Sequence, residues 1–148
     1  MDLTKNFDDR YVAYSADHKF KAVKTTVGAI IEKDGKILLT KRNIEPYKGD
    51  WCLPGGHIEY FEPAKNAVIR EVKEETGLDF DGKFVGYIDE IIPEINWHIE
   101  FLVFKGTAAG KEKKCEVEVQ EIKWFSKEDA LKLRLAFKHL DALKKYLT

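Results

Sequence analysis

The sequence predicts an α/β protein, a mixed sheet with helices on both faces. Three observations predict it. Two β-branched segments, 23–31 and 36–42, flank Asp34 and Gly35, a hairpin turn signal. Residues 63–77 carry apolar side chains at helical spacing, closed by Gly77. Segments 84–92 and 97–105 read as strands, and the chain returns to helical spacing after Ser126.

The elements follow in order. Residues 1–22 are polar with irregular aromatics (Phe7, Tyr11, Tyr14, Phe20) and read as an N-terminal arm or an edge strand. After the hairpin comes a loop, 43–49, and then a short apolar segment, 51–53, stopped by Pro54, Gly55 and Gly56. Pro63 suits the first turn of the helix, and Ala64, Ala67, Val68 and Val72 form its buried stripe, which leaves its acids on a different, open side. Asp81 and Gly82 predict another turn. The next two strands join around Pro93, Glu94 and Asn96, and 101–104 is apolar at both parities, as in a strand covered on both faces. Beyond a Gly- and Lys-rich loop, 106–114, Val117 and Val119 have the opposite parity to Ile122 and Trp124. This predicts a bulge or turn near Gln120 and Glu121. Ser126 is suited to cap a helix, and 131–146 holds apolar residues enough for two helices.

The bulk numbers exclude several function classes. A chain of 148 residues is read as one domain, 1–148, with room for a sizeable core. Hydrophobic residues at 44% and charged residues at 34% describe an ordinary globular protein. A net charge of −1 lacks the basic footprint of a nucleic-acid binder. The first residues show no secretory pattern and no apolar run is long enough to span a bilayer, so a cytoplasmic protein without a membrane partner is expected. Cys52 and Cys115 have no metal-type spacing and read as reduced thiols. Trp51, Trp97 and Trp124 read as core, while His57, His98 and His139, scattered in sequence, read as packing or solvent-facing residues.

The chemistry concentrates on one helical turn. Glu71, Glu74 and Glu75 stand at i, i+3 and i+4, within one sector of the helix. Like charges at that spacing repel, so a cation is expected over them, and a hard divalent ion suits oxygen ligands. Arg70, beside Glu71, is placed to orient that carboxylate.

These residues carry a family resemblance. Gly56, Glu62, Arg70, Glu71, Glu74, Glu75 and Gly77 within 56–78 match every defined position of the Nudix box, and 23–133 as a whole resembles the Nudix hydrolases. The resemblance implies an α/β/α sandwich with a mixed central sheet. It also implies Mg²⁺ or Mn²⁺ held by a Gly55 or Gly56 carbonyl and by Glu71, Glu74 and Glu75, with one glutamate serving as general base. Glu62 would brace the loop or the helix start. A further acid outside the helix is expected, with Glu118, Glu121 and Glu59 as candidates and Glu118 put forward as the metal ligand. The implied reaction is hydrolysis of the diphosphate in a nucleoside diphosphate linked to another moiety. Pro93, fifteen residues after Leu78, resembles a mark of the ADP-ribose and nucleoside diphosphate sugar pyrophosphatases. Arg42, Tyr47, Glu59 and Pro93 are the candidate substrate contacts. Nucleoside triphosphates, RNA 5′ ends or a nucleotide-sensing role without catalysis are the alternatives, and a homodimer is expected from the N-terminal arm and the C-terminal helices.

Overall fold

The computed structural model describes residues 22–147. The hairpin forms as expected: β1 (Lys24–Lys33) and β2 (Lys36–Arg42) meet through Asp34 and Gly35, at φ 51° and 74°. Positive φ at both positions gives the turn the twist of the strands it joins. The two strands pair only at Glu32↔Ile37 and Lys33↔Lys36 and then diverge. Two short strands fill the wedge, β3 (Trp51–Cys52) against β2 and β4 (Gly55–His57) against β1. On its other side β1 runs parallel to β6 (Trp97–Ala109), which pairs antiparallel with β5 (Asp79–Ile92). Strand β7 (Val119–Ser126) lies antiparallel along β2. The sheet is therefore mixed, with seven strands and β3-β2-β1-β6-β5 as its main path.

Each face of this sheet has its own core. On one, Ala67, Val68 and Val72 of α1 (Ala64–Thr76) pack with Val27, Ala29, Ile31, Leu38 and Phe104. On the other, Ala130 of α2 (Lys127–Lys132) and Ala142 and Leu143 of α3 (His139–Tyr146) pack with Ile30, Ile37, Leu39, Phe101 and Val103. Strands β1 and β6 send successive side chains into both layers, which is why 101–104 is apolar at both parities. The helix ends are local in origin. Gly77 closes α1 in the left-handed conformation at φ 77°, and the Ser126 hydroxyl accepts from Asp129 N–H at 3.0 Å to cap α2.

Some expectations are corrected. Gly55 and Gly56 do not stop the chain but pair with Gly28 and Val27 as β4. Asp81 and Gly82 form no turn: they lie inside β5, where Gly82 faces Gly106 of β6, a strand that runs four residues further than expected, to Ala109. A Cβ on Gly106 would collide with the Asp81 carbonyl, so glycine here permits close strand approach rather than a reversal. The other junctions follow expectation. A single 3₁₀ turn, Pro93–Ile95, with Asn96 at φ 54°, joins β5 to β6. The register shift between Lys41↔Glu121 and Arg42↔Val119 bulges the chain at Gln120. The thiols of Cys52 and Cys115 are free. No helix among the described residues is long and apolar enough to cross a membrane. The N-terminal arm, with Tyr14, His18 and Phe20, lies outside the described residues.

Gly106→Ala is expected to destabilise the fold by about 2 kcal/mol, the cost of forcing backbone apart in a packed region. Urea denaturation measures it, and a loss below about 0.5 kcal/mol would contradict the close β5–β6 approach.

Candidate active site

The last two turns of α1 bring the charged residues together. Arg70 stands at the centre. Its Nε and Nη2 donate to the two Glu62 oxygens at 2.7 and 2.9 Å, a bidentate pair, and Nη2 also reaches the His57 carbonyl at 3.1 Å. Its Nη1 donates to Glu71 at 2.9 Å and to Glu74 at 3.3 Å. Glu62 in turn accepts from the Glu59 N–H at 3.1 Å, so one guanidinium ties the loop after β4 to the helix. The Arg70 bonds hold the Glu62 carboxyl down to about 2.

The three helix acids do not share one open side. Glu71 and Glu75 are buried and face the sheet, while Glu74 is exposed. The reason is the packing of α1: Val68 and Val72 seat the helix, and Glu71 and Glu75 flank that stripe and turn in beneath β4. Glycine makes the room. A Cβ on Gly56 would lie 2.5 Å from the Glu71 carboxyl carbon, and the Gly55 N–H donates to Glu75 at 3.2 Å. From the opposite side Glu118, just before β7, completes a group in which carboxylate oxygens of Glu71, Glu75 and Glu118 lie within 4.8 Å of one another. Glu74 is outside this group. Glu121 is exposed on β7 and also outside it, whereas Glu59 sits at 3.7 Å from Arg70.

Burial raises the carboxyl of Glu71 against the lowering effect of Arg70. It raises Glu75 well above the usual carboxylate range, and the neighbouring Glu71 adds to it. Arg70 pairs with Glu71, but among the described residues no Lys or Arg side chain forms an ion pair with Glu75 or Glu118, so one guanidinium faces three converging carboxyls. An all-oxygen set of this kind fits a hard divalent cation such as Mg²⁺ or Mn²⁺, and Glu71, Glu75 and Glu118 are the residues that could hold it.

These acids line a cavity of about 480 Å³. Arg42 and Glu59 line it as well; Tyr47 and Pro93 do not. Tyr47 packs edge-on against Phe137 at 4.8 Å, and Pro93 borders a separate cavity beside His57 and Trp97. Arg42 donates to the Pro46 carbonyl at 2.7 Å and lies 4.8 Å over the Phe137 ring. Trp97 stacks on the other aromatic partner of this wall, Phe137, at 4.9 Å. Glu90, Phe137 and His139 are lining residues that no sequence motif marked. Only the strand parity of Glu90 hinted at an inward side chain. His139, expected to pack or face solvent, is buried against Phe101 at 4.6 Å and accepts the Leu53 N–H through Nδ1 at 3.0 Å. Burial, with Arg42 nearby, pushes its imidazole down to about 3.

His139 thus stays neutral in the fold and takes a proton only on unfolding. Its contribution is present above pH ~6.5 and is lost as pH falls from there toward 3. Wild type is expected to lose roughly 1 kcal/mol per pH unit more than His139→Gln across this range. Denaturant melts at several pH values check this, with equal slopes as the contrary result.

The match to known proteins agrees with this geometry. The NUDIX domain family matches residues 22–146. An ADP-ribose pyrophosphatase of Methanocaldococcus jannaschii is 39% identical over 122 residues, 82% of this chain and 71% of that protein. A CTP pyrophosphohydrolase of Escherichia coli is 36% identical over 117 residues, 74% of this chain and 81% of that protein. A crystal structure of a MutT NUDIX hydrolase from Burkholderia pseudomallei superposes with a TM-score of 0.79 at 29% identity, over 85% of this chain and 99% of that one. The chain belongs to the Nudix hydrolase family.

Proposed function

We propose that this Nudix pyrophosphohydrolase cleaves the diphosphate of ADP-ribose or a nucleoside diphosphate sugar, giving a nucleoside monophosphate and a sugar phosphate. The observation that carries the reading is the convergence of Glu71, Glu75 and Glu118 on a cavity that aromatic side chains also line. The acids suit the diphosphate end of such a substrate and the rings suit its base. The 39% identical relative named as an ADP-ribose pyrophosphatase supports the substrate class.

A diphosphate and an attacking water that must lose a proton are both electron-rich at the reacting centre. A bound Mg²⁺ or Mn²⁺ would supply positive charge against the diphosphate and make the attacking water more acidic. The chain's own residues do the rest. Glu71, Glu75 and Glu118 would hold the cation, and one of the helix carboxylates would take the proton of the water. Arg70 keeps Glu71 in position, and Glu62 keeps Arg70 in position. Arg42, on the cavity wall, offers a guanidinium to phosphate.

A nucleoside triphosphate is the second reading, supported by the relative named as a CTP pyrophosphohydrolase. Adenine and cytosine, the bases in those two names, both carry an exocyclic amine. The homodimer is proposed as well; Phe84, Tyr87 and Ile91 are exposed on the edge strand β5, where a second copy could cover them.

A substrate panel with Mg²⁺ tests the function: ADP-ribose or a sugar nucleotide should turn over faster than any nucleoside triphosphate or 5′-triphosphate RNA, and the reverse order would reject it. Binding without turnover would mark a sensor instead. Glu71→Gln and Glu75→Gln should lower kcat by about 10²–10⁴-fold, the range for loss of a metal-holding or proton-accepting group. Glu74→Gln should cost less than about tenfold, since Glu74 is exposed; equal losses in all three would refute this division. Cation binding should also be visible in stability. The raised carboxyls of Glu71 and Glu75 weaken the fold progressively as pH climbs above the usual carboxylate range. Added Mg²⁺ or Mn²⁺ should therefore raise Tm more at about pH 8 than at about pH 5, and Glu75→Gln should abolish most of the difference.

A further inference from the structure

Glu90 is a buried carboxylate that the proposed hydrolysis does not use. It sits on β5, is 1% exposed, and lines the same cavity as the acid cluster. Two donors hold it in place: Trp97 Nε1–H reaches Oε1 at 2.7 Å, and the Lys138 N–H, at the start of α3, reaches Oε2 at 3.3 Å. A carboxylate has about four acceptor sites, so each oxygen keeps capacity for another donor. Burial raises this carboxyl, but both present partners donate to it and favour its ionised, accepting form.

The surroundings define what that donor can be. The wall beside Glu90 is built of Trp97, Phe137, Phe101 and the neutral imidazole of His139, with Trp97 and Phe137 stacked at 4.9 Å. Flat aromatic surface of this kind receives a planar base by stacking. Arg42 lines the same cavity as the acid cluster and lies 4.8 Å over the Phe137 ring, so its charge stands at the aromatic wall. The cavity thus offers the acid cluster to a diphosphate and the rings beside Glu90 to a base.

We propose that Glu90 is a specificity-determining residue that accepts a hydrogen bond from the exocyclic amine of the substrate's base. It selects adenine or cytosine over the keto bases hypoxanthine and uracil. The inference rests on the function proposed above and adds the feature of the nucleoside that is read. A keto oxygen facing Glu90 would set acceptor against acceptor in a buried site, the arrangement that rejects a ligand most effectively. The exchange keeps the shape of the base but also turns the adjacent ring nitrogen from acceptor to N–H donor, so the comparison with Glu90→Gln, not the amine–keto pair alone, isolates this contact.

Calorimetric titration of the intact chain with AMP, IMP, CMP and UMP tests it without reference to turnover. AMP should bind at least about tenfold more tightly than IMP, and CMP more tightly than UMP by a similar factor. Glu90→Gln, whose amide can donate to a keto group, should bring each ratio to within about twofold. A general loss of packing in the variant would lower all four affinities together and leave the ratios alone, which would overturn the proposal. So would equal binding of AMP and IMP by wild type, a uniform loss that points to the ribose, or no binding of any of the four. Preference for AMP and CMP with no turnover of ADP-ribose or CTP would reject the proposed function while upholding this inference; turnover without preference would do the opposite.

Discussion

One guanidinium organises this protein's site. Arg70 takes both oxygens of Glu62, one of Glu71, one of Glu74 and the His57 carbonyl. These partners come from the end of β4, from the loop after it and from Glu71 and Glu74 of α1, so a single side chain ties strand, loop and helix together. Bidentate geometry gives the Glu62 pair direction as well as charge, and a lysine could not reproduce it. Without Arg70, Glu71 would have no cationic partner among the described residues, beside an equally buried Glu75.

The cavity owes its existence to the early divergence of β1 and β2. Their pairing ends after two residue pairs, and β3 and β4 occupy the space that opens. Because β4 begins with two glycines, the helix can sit close enough for Glu71 and Glu75 to reach in beneath it. The bulge at Gln120 shifts the register of β7 on β2 close to Glu118, whose carbonyl accepts from the Asn43 N–H at 2.9 Å, and its carboxylate reaches the same point as Glu71 and Glu75. Hydrophobic packing of Val68 and Val72 thus places charge where it is least comfortable. That tension is the physical case for a cation.

Much of this was legible in the chain. The hairpin at Asp34 and Gly35, the limits of α1, the Ser126 cap, the double burial of 101–104 and the slip near Gln120 are all local statements, decided by turn chemistry and periodicity within a few residues. Asp81 and Gly82 misled because a glycine in a strand and a glycine in a turn look alike in sequence; only the facing Gly106 distinguishes them. The burial of Glu71 and Glu75, with Glu74 left exposed, was hidden in a similar way. Spacing puts three acids in one sector, yet a helix wheel does not say which edge of that sector meets the sheet.

By itself the sequence determined the family, the reaction class and the oxygen-rich character of the site, since these follow from residue types at fixed short intervals. Tertiary structure decided which acids converge and what faces them. Glu118 lies over forty residues from the helix in sequence, and Glu90, Trp97, Phe137 and His139 come from β5, β6 and the C-terminal segment. Their meeting depends on strand order and on the packing of α3 against the sheet, long-range contacts that leave no periodic trace in the chain.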